Sequence, residues 1–145
     1  AYQQLGRLDE AVEQYREAIA IYPNGYKAHY NLGVVYAQQG HLNKAIESYR
    51  RAIEANPAYP NARFNLGIIY QNRGEIDNAI EQFGKVAELD PADFKARNNL
   101  GVAYAIRGDL KQAIGEWEKV LEIDPDNQSA RENILKAKRA MNKSD

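Results

Sequence analysis

Residues 26–59 read YKAHYNLGVVYAQQGHLNKAIESYRRAIEANPAY, and these 34 residues decide the fold. Leu32, Val35 and Tyr36 fall at helical spacing and, with Gly33, mark one face of a first helix. Gly40 is placed to end that helix, because glycine enters the left-handed conformation at little cost. Leu42, Ala45, Ile46, Tyr49, Ala52 and Ile53 then trace the apolar stripe of a second helix. Pro57 stops it shortly after its last turn. No segment alternates with period two, so strands are not indicated. The stretch is a helical hairpin with a short glycine turn.

Outward from it, the same hairpin recurs at a fixed spacing of 34 residues. Prolines stand at Pro23, Pro57, Pro91 and Pro125, and glycines at Gly6, Gly40, Gly74 and Gly108. A second glycine series runs Gly33, Gly67, Gly101, and tyrosines run Tyr2, Tyr36, Tyr70, Tyr104. Small residues run Ala11, Ala45, Ala79, Ala113, and a ring series runs Tyr15, Tyr49, Phe83, Trp117. One period with no insertion means stacked units, each completing its neighbour's core. Gly33 and Ala45 are expected to let the two helix backbones of a hairpin approach closely.

Composition narrows the function. The 145 residues are 44% apolar and 27% charged, as in a folded chain. No run of about 18 apolar residues exists, so no membrane-inserting span is expected. A net charge of −1 argues against a general nucleic-acid binder. The absence of cysteine excludes disulfides, thiolate zinc sites and thiol nucleophiles. The ten tyrosines against three phenylalanines and one tryptophan are the unusual feature.

The order Asn31-Leu32-Gly33, Tyr36, Gly40, Ala45, Tyr49, Ala52, Pro57 resembles the tetratricopeptide repeat in residues, order and spacing, and it recurs along essentially the whole chain. The resemblance implies an all-α, right-handed superhelical solenoid of antiparallel helix pairs with a C-terminal capping helix. The expected organisation is a partial first repeat in 1–25 (second helix about 8–21), complete repeats at 26–59, 60–93 and 94–127, a capping helix at 128–141 and a frayed tail at 142–145. Ala1 falls at the tenth position of a repeat, so the chain is expected to be part of a longer protein. Its uncovered edge is expected to expose Leu8, Val12 and Tyr15, an edge on which a second copy could dock as a homo-oligomer. Where the family often carries an aromatic, three residues before the leucine, this chain has His29, Arg63 and Arg97. Their contact is expected to come from alkyl stems or to be lost.

In such repeats the first helices line the inner surface. Carried over residue by residue, the groove-facing positions are Lys27, Tyr30, Asn31, Val34, Ala37 and Gln38; then Asn61, Phe64, Asn65, Ile68, Gln71 and Asn72; then Lys95, Asn98, Asn99, Val102, Ala105 and Ile106; and Ser129, Glu132, Asn133 and Lys136 in the capping helix. One column is uniform: Asn31, Asn65, Asn99, Asn133. Asparagine is a mediocre helix former, so four in register call for a reason. They can pair in two-point fashion with the main chain of an extended peptide. This resembles the asparagine ladders in the repeat domains of O-GlcNAc transferase and kinesin light chain. Alternatively they bond a neighbouring helix. Tyr30, Phe64, Val34, Ile68 and Val102 are expected to line the groove between the amides, with Lys27 and Lys95 at the rim. The two-carboxylate clamp for acidic chaperone tails needs Lys or Arg where this chain has Tyr30–Asn31, Phe64–Asn65 and Asn98–Asn99.

No catalytic constellation, metal-ligand spacing or phosphate-binding glycine loop is present, so neither an enzyme nor a cofactor is expected. The basic residues Arg131, Lys136, Lys138 and Arg139 of the last helix do not make the sustained basic surface that nucleic acid requires. The expected role is a non-catalytic scaffold that binds a protein or peptide segment in its groove. The alternatives are a targeting or regulatory module of a larger enzyme, or a homo-oligomerising assembly module.

Overall fold

The computed structural model describes residues 2–144, with the side chains of Tyr2 and Gln3 outside the description. Among the described residues there are eight helices and no strand: α1 (Tyr2–Ile21), α2 (Tyr26–Gln38), α3 (Leu42–Ala55), α4 (Pro60–Asn72), α5 (Ile76–Leu89), α6 (Phe94–Arg107), α7 (Leu110–Ile123) and α8 (Gln128–Lys143). The fold is all-α, and α2, α4, α6 and α8 start 34 residues apart.

Each hairpin turn is made the same way. Gly40, Gly74 and Gly108 have φ of 79°, 78° and 94°. The residue after each donates back to Tyr36, Tyr70 or Tyr104, at 2.8–2.9 Å, so the last carbonyls of the first helix find donors. A Cβ there would meet nothing within 4 Å, so only the backbone conformation demands glycine.

Gly33 and Gly101 have a different cause from the expected one. A Cβ on Gly33 would lie 2.7 Å from the Tyr49 ring, and one on Gly101 would lie 2.5 Å from Trp117 Nε1. The glycines make room for a ring of the second helix rather than for its backbone. Ala45 and Ala113 are fully buried, as are Tyr49 and Trp117 to within 3%.

The chain forms two compact units, Ala1–Ile69 and Tyr70–Asp145. The first holds α1 to α3 and most of α4. Its core includes Val12, Leu32, Val35, Tyr36, Ile46 and Tyr49. In the second, Trp117 and Val120 of α7 pack with Ala130, Ile134 and Ala137 of α8, so α8 covers the last hairpin with Ile134 and Ala137.

Three expectations change. Gly6 does not break the chain: α1 runs without interruption from Tyr2 to Ile21, where a second helix over about 8–21 was expected. Val12 is buried, and Leu8 and Tyr15 are half-buried, because α2 packs on α1; the exposed apolar residues nearby are Leu5, Ile21 and Tyr22. Finally, α8 continues to Lys143, past the expected end at 141, and Ser144 closes it by donating from Oγ to the Ala140 carbonyl at 3.1 Å. Ala1 and Asp145 lie outside the described residues.

The column His29, Arg63, Arg97, Arg131 has a role that the sequence did not show. His29 Nε2 is 2.7 Å from the Pro23 carbonyl oxygen. Arg63 and Arg97 donate from Nε to the carbonyls of Pro57 and Pro91 at 3.3 and 3.2 Å. Arg131 donates to that of Pro125. Each latch ties a helix's first turn to the proline six residues before it, at a point where the previous helix leaves carbonyls without partners.

Candidate functional site

In the first unit the expected groove residues converge on a cluster of tyrosines. Tyr30 of α2 stands 5.9 Å, centroid to centroid, from Tyr49 of α3 and meets Tyr59 edge-on at 5.3 Å. Tyr59 in turn lies 5.0 Å from Tyr26. Such spacings and tilts are those at which ring quadrupoles attract. Tyr59 directly precedes Pro60 at the first turn of α4, where the missing N–H costs little.

Asparagines of α4 knit the rings together. Asn65 donates from Nδ2 to the hydroxyls of Tyr30 and Tyr49 at 3.3 and 3.4 Å. Asn61 donates to the Tyr59 hydroxyl at 3.2 Å. Burial pushes the Tyr49 hydroxyl above its ordinary pKa; the Asn65 hydrogen bond opposes that, and the Tyr30 hydroxyl adds to it. The Tyr49 ring, only 2% exposed, thus forms the floor of the cluster, with Tyr30 and Tyr59 half-buried above it. A cation stands nearby: Lys27 Nζ lies 6.0 Å from the Tyr26 centroid.

The remaining expected residues fall as follows. Asn31 and Val34 on α2, and Phe64 and Ile68 on α4, are half-buried, and Lys27 is exposed. In the second unit Asn99 of α6 and Asn133 of α8 are half-buried and Lys95 is exposed. Val102 packs against the Trp117 cluster, so it serves the core as well as any groove. Trp117 donates from Nε1 to the Asn98 backbone carbonyl at 3.3 Å. Gln71 Oε1 and Asn98 Oδ1, both at groove-facing positions, are buried acceptors without a hydrogen-bond partner among the described residues.

The asparagine column is therefore not uniform in use. The amide nitrogen of Asn65 is committed to two hydroxyls on neighbouring helices, whereas no side-chain hydrogen bond among the described residues engages Asn31 or Asn99. Tyr26, Tyr59 and the Tyr49 hydroxyl were missed. The excess of tyrosine was their only signal in the sequence.

A family model described as tetratricopeptide repeat matches residues 1–60 and 64–128. Comparison with curated protein sequences gives no match. Among solved structures, a crystal structure of MamA is 26% identical over 97% of this chain and 82% of that one, with a TM-score of 0.86. A second crystal structure of MamA is 29% identical over 86% of this chain and 68% of that one, at 0.76. The first repeat domain of Spaghetti (RPAP3), bound to the HSP90 peptide SRMEEVD, is 25% identical over 80% of this chain and 92% of that one, at 0.73.

Proposed function

This chain belongs to the tetratricopeptide repeat family, and on that premise we propose that it is a non-catalytic scaffold that binds an extended or helical segment of a partner protein over the α2–α4 face. The observation that carries the reading is the phenol–amide cluster of Tyr30, Tyr49, Tyr59 and Asn65. Rings already held by one another and by an amide lose little freedom on binding, and aromatics that become buried on association supply much of an interface's energy. Asn31, beside the cluster, offers a donor and an acceptor to a peptide main chain. Asn99 and Asn133 would serve the same way in the second unit.

The likeness to the RPAP3 domain supports peptide binding as a mode. The ligand differs in chemistry, because Tyr30–Asn31 and Phe64–Asn65 stand where a carboxylate clamp would need cations. The segment bound here is largely uncharged and partly apolar. The test is affinity capture with the wild-type chain beside Tyr30→Ala/Asn31→Ala, both checked for folding by circular dichroism. A partner held by the first and lost by the second is the expected result, with a loss of about 2 kcal/mol or more. A partner held equally by both would move the site off α2.

A further inference from the structure

On another side of the first unit, a pocket of about 390 Å³ is shared by α1, α2 and α3. Three cations line it, Arg16, Lys44 and Arg51, against one carboxylate, Glu47. Leu32, Tyr36 and Ile19 give it an apolar wall, and Ser48, itself only 6% exposed, adds a hydroxyl. None of these residues belongs to the α2–α4 face described above.

The second unit shows what the same place looks like when its charge is answered from within. Two repeats on, Ser48 is replaced by Glu116 and Arg51 by Lys119. Glu116 accepts from Arg97 Nη1 at 3.1 Å and from Lys119 Nζ at 3.0 Å, with its side chain only 14% exposed. Lys44, Arg16 and Glu47 are replaced there by Gln112, Gly84 and Gly115, and His29, which also lines the pocket, by Arg97. The first unit thus has more cations and lacks the buried carboxylate. Among the described residues Arg16 and Arg51 pair with Glu13 and Glu54, one turn away on their own helices, at 3.4 and 3.5 Å. Exposed pairs of that kind contribute little. Lys44 rests 5.5 Å above the Tyr36 ring.

We propose that this pocket binds an acidic peptide segment of a partner, with one of its carboxylates filling the role that Glu116 fills in the second unit and an apolar side chain lying against Leu32 and Tyr36. Charge complementarity selects the ligand: three cations with exposed heads steer and hold an anionic segment, and carboxylates bound by arginine make the stronger, charge-assisted bonds.

The experiment is fluorescence anisotropy at low salt with a labelled Glu-Glu-Leu-Glu-Glu peptide and its Gln-Gln-Leu-Gln-Gln counterpart. The acidic peptide is expected to bind, more weakly as salt rises, and the neutral one not to bind. Lys44→Gln/Arg51→Gln, at two exposed positions, is expected to weaken binding about tenfold or more. Ser48→Glu, which writes the second unit's own carboxylate into the first, is expected to do the same. Should that variant fail to fold, the double variant decides alone. Equal binding of the two peptides, no binding of the acidic one, or full binding by the double variant would overturn the proposal. So would loss of the acidic peptide in Tyr30→Ala, which would place it on the other face.

Discussion

At the residue before each first helix, the first unit carries Gly25 and Tyr59 where the second carries Asp93 and Asn127. Asp93 and Asn127 cap their helices, each accepting at 3.0 Å from the backbone N–H three residues on. Gly25 makes no side-chain cap, and the Tyr59 ring turns to Tyr26 and Tyr30. The polar position of the second helices divides the same way, with Ser48 in one unit and the doubly bonded Glu116 in the other. Identical backbone places thus make internal hydrogen bonds in the second unit, while in the first Tyr59 joins a ring cluster and the nearly buried Ser48 lines a pocket. The difference teaches that one repeat position can either be satisfied within its own repeat or be left to face a ring cluster or a pocket, and the two units choose oppositely.

The contrast can be broken most strongly at Glu116. Glu116→Ser gives the second unit the first unit's residue and leaves Arg97, only 16% exposed, without its carboxylate. A loss of about 1–3 kcal/mol is expected by denaturant unfolding, against well under about 1 kcal/mol for Ser48→Ala. Equal effects would erase the distinction between the units. A smaller effect sharpens it at the caps. Asp93→Ala should cost about 1 kcal/mol, with amide exchange at Ala96 accelerating, whereas Tyr59→Ala should alter the ring cluster with no loss of a side-chain cap. The smallest effect concerns pH. Tyr49 has its pKa raised from 10.0, so its share of stability is present below pH 10 and is lost as pH rises through the folded value. Its counterpart two repeats on, Trp117, does not titrate. Alkaline unfolding followed by tyrosine absorbance should therefore be delayed to higher pH by Tyr49→Phe, while Trp117 fluorescence reports no matching step.

Most of the helix plan was legible because its causes are local. Gly40, Pro57 and the apolar stripes act within a turn or two of themselves, and the helices start and stop beside them. Gly6 misled for the same reason: the residue is identical to Gly40, but it lies inside α1, whereas Gly40 has a positive φ between two helices. The candidate site was legible by half. The asparagine column and Tyr30 could be placed on one helix face by counting. The bonds of Asn65 could not, since its hydroxyl partners lie 35 and 16 residues away and depend on how three helices meet. Tyr26 and Tyr59 sit at the joints between repeats, outside any helical stripe, so periodicity gave them no role. The pocket of Arg16, Lys44 and Arg51 draws on three helices, and no single stretch announces it.

The latches between His29, Arg63, Arg97 or Arg131 and the proline carbonyls have a consequence for how such a chain grows. Each joins residues six apart, across the seam between one repeat and the next. Because donor and acceptor recur with the same 34-residue period as the repeat itself, a tandem duplication of one period, cut at any point, reproduces the pair at the new seam. The joint is inherited with the repeat, and the chain can be lengthened or shortened by recombination without inventing a new junction.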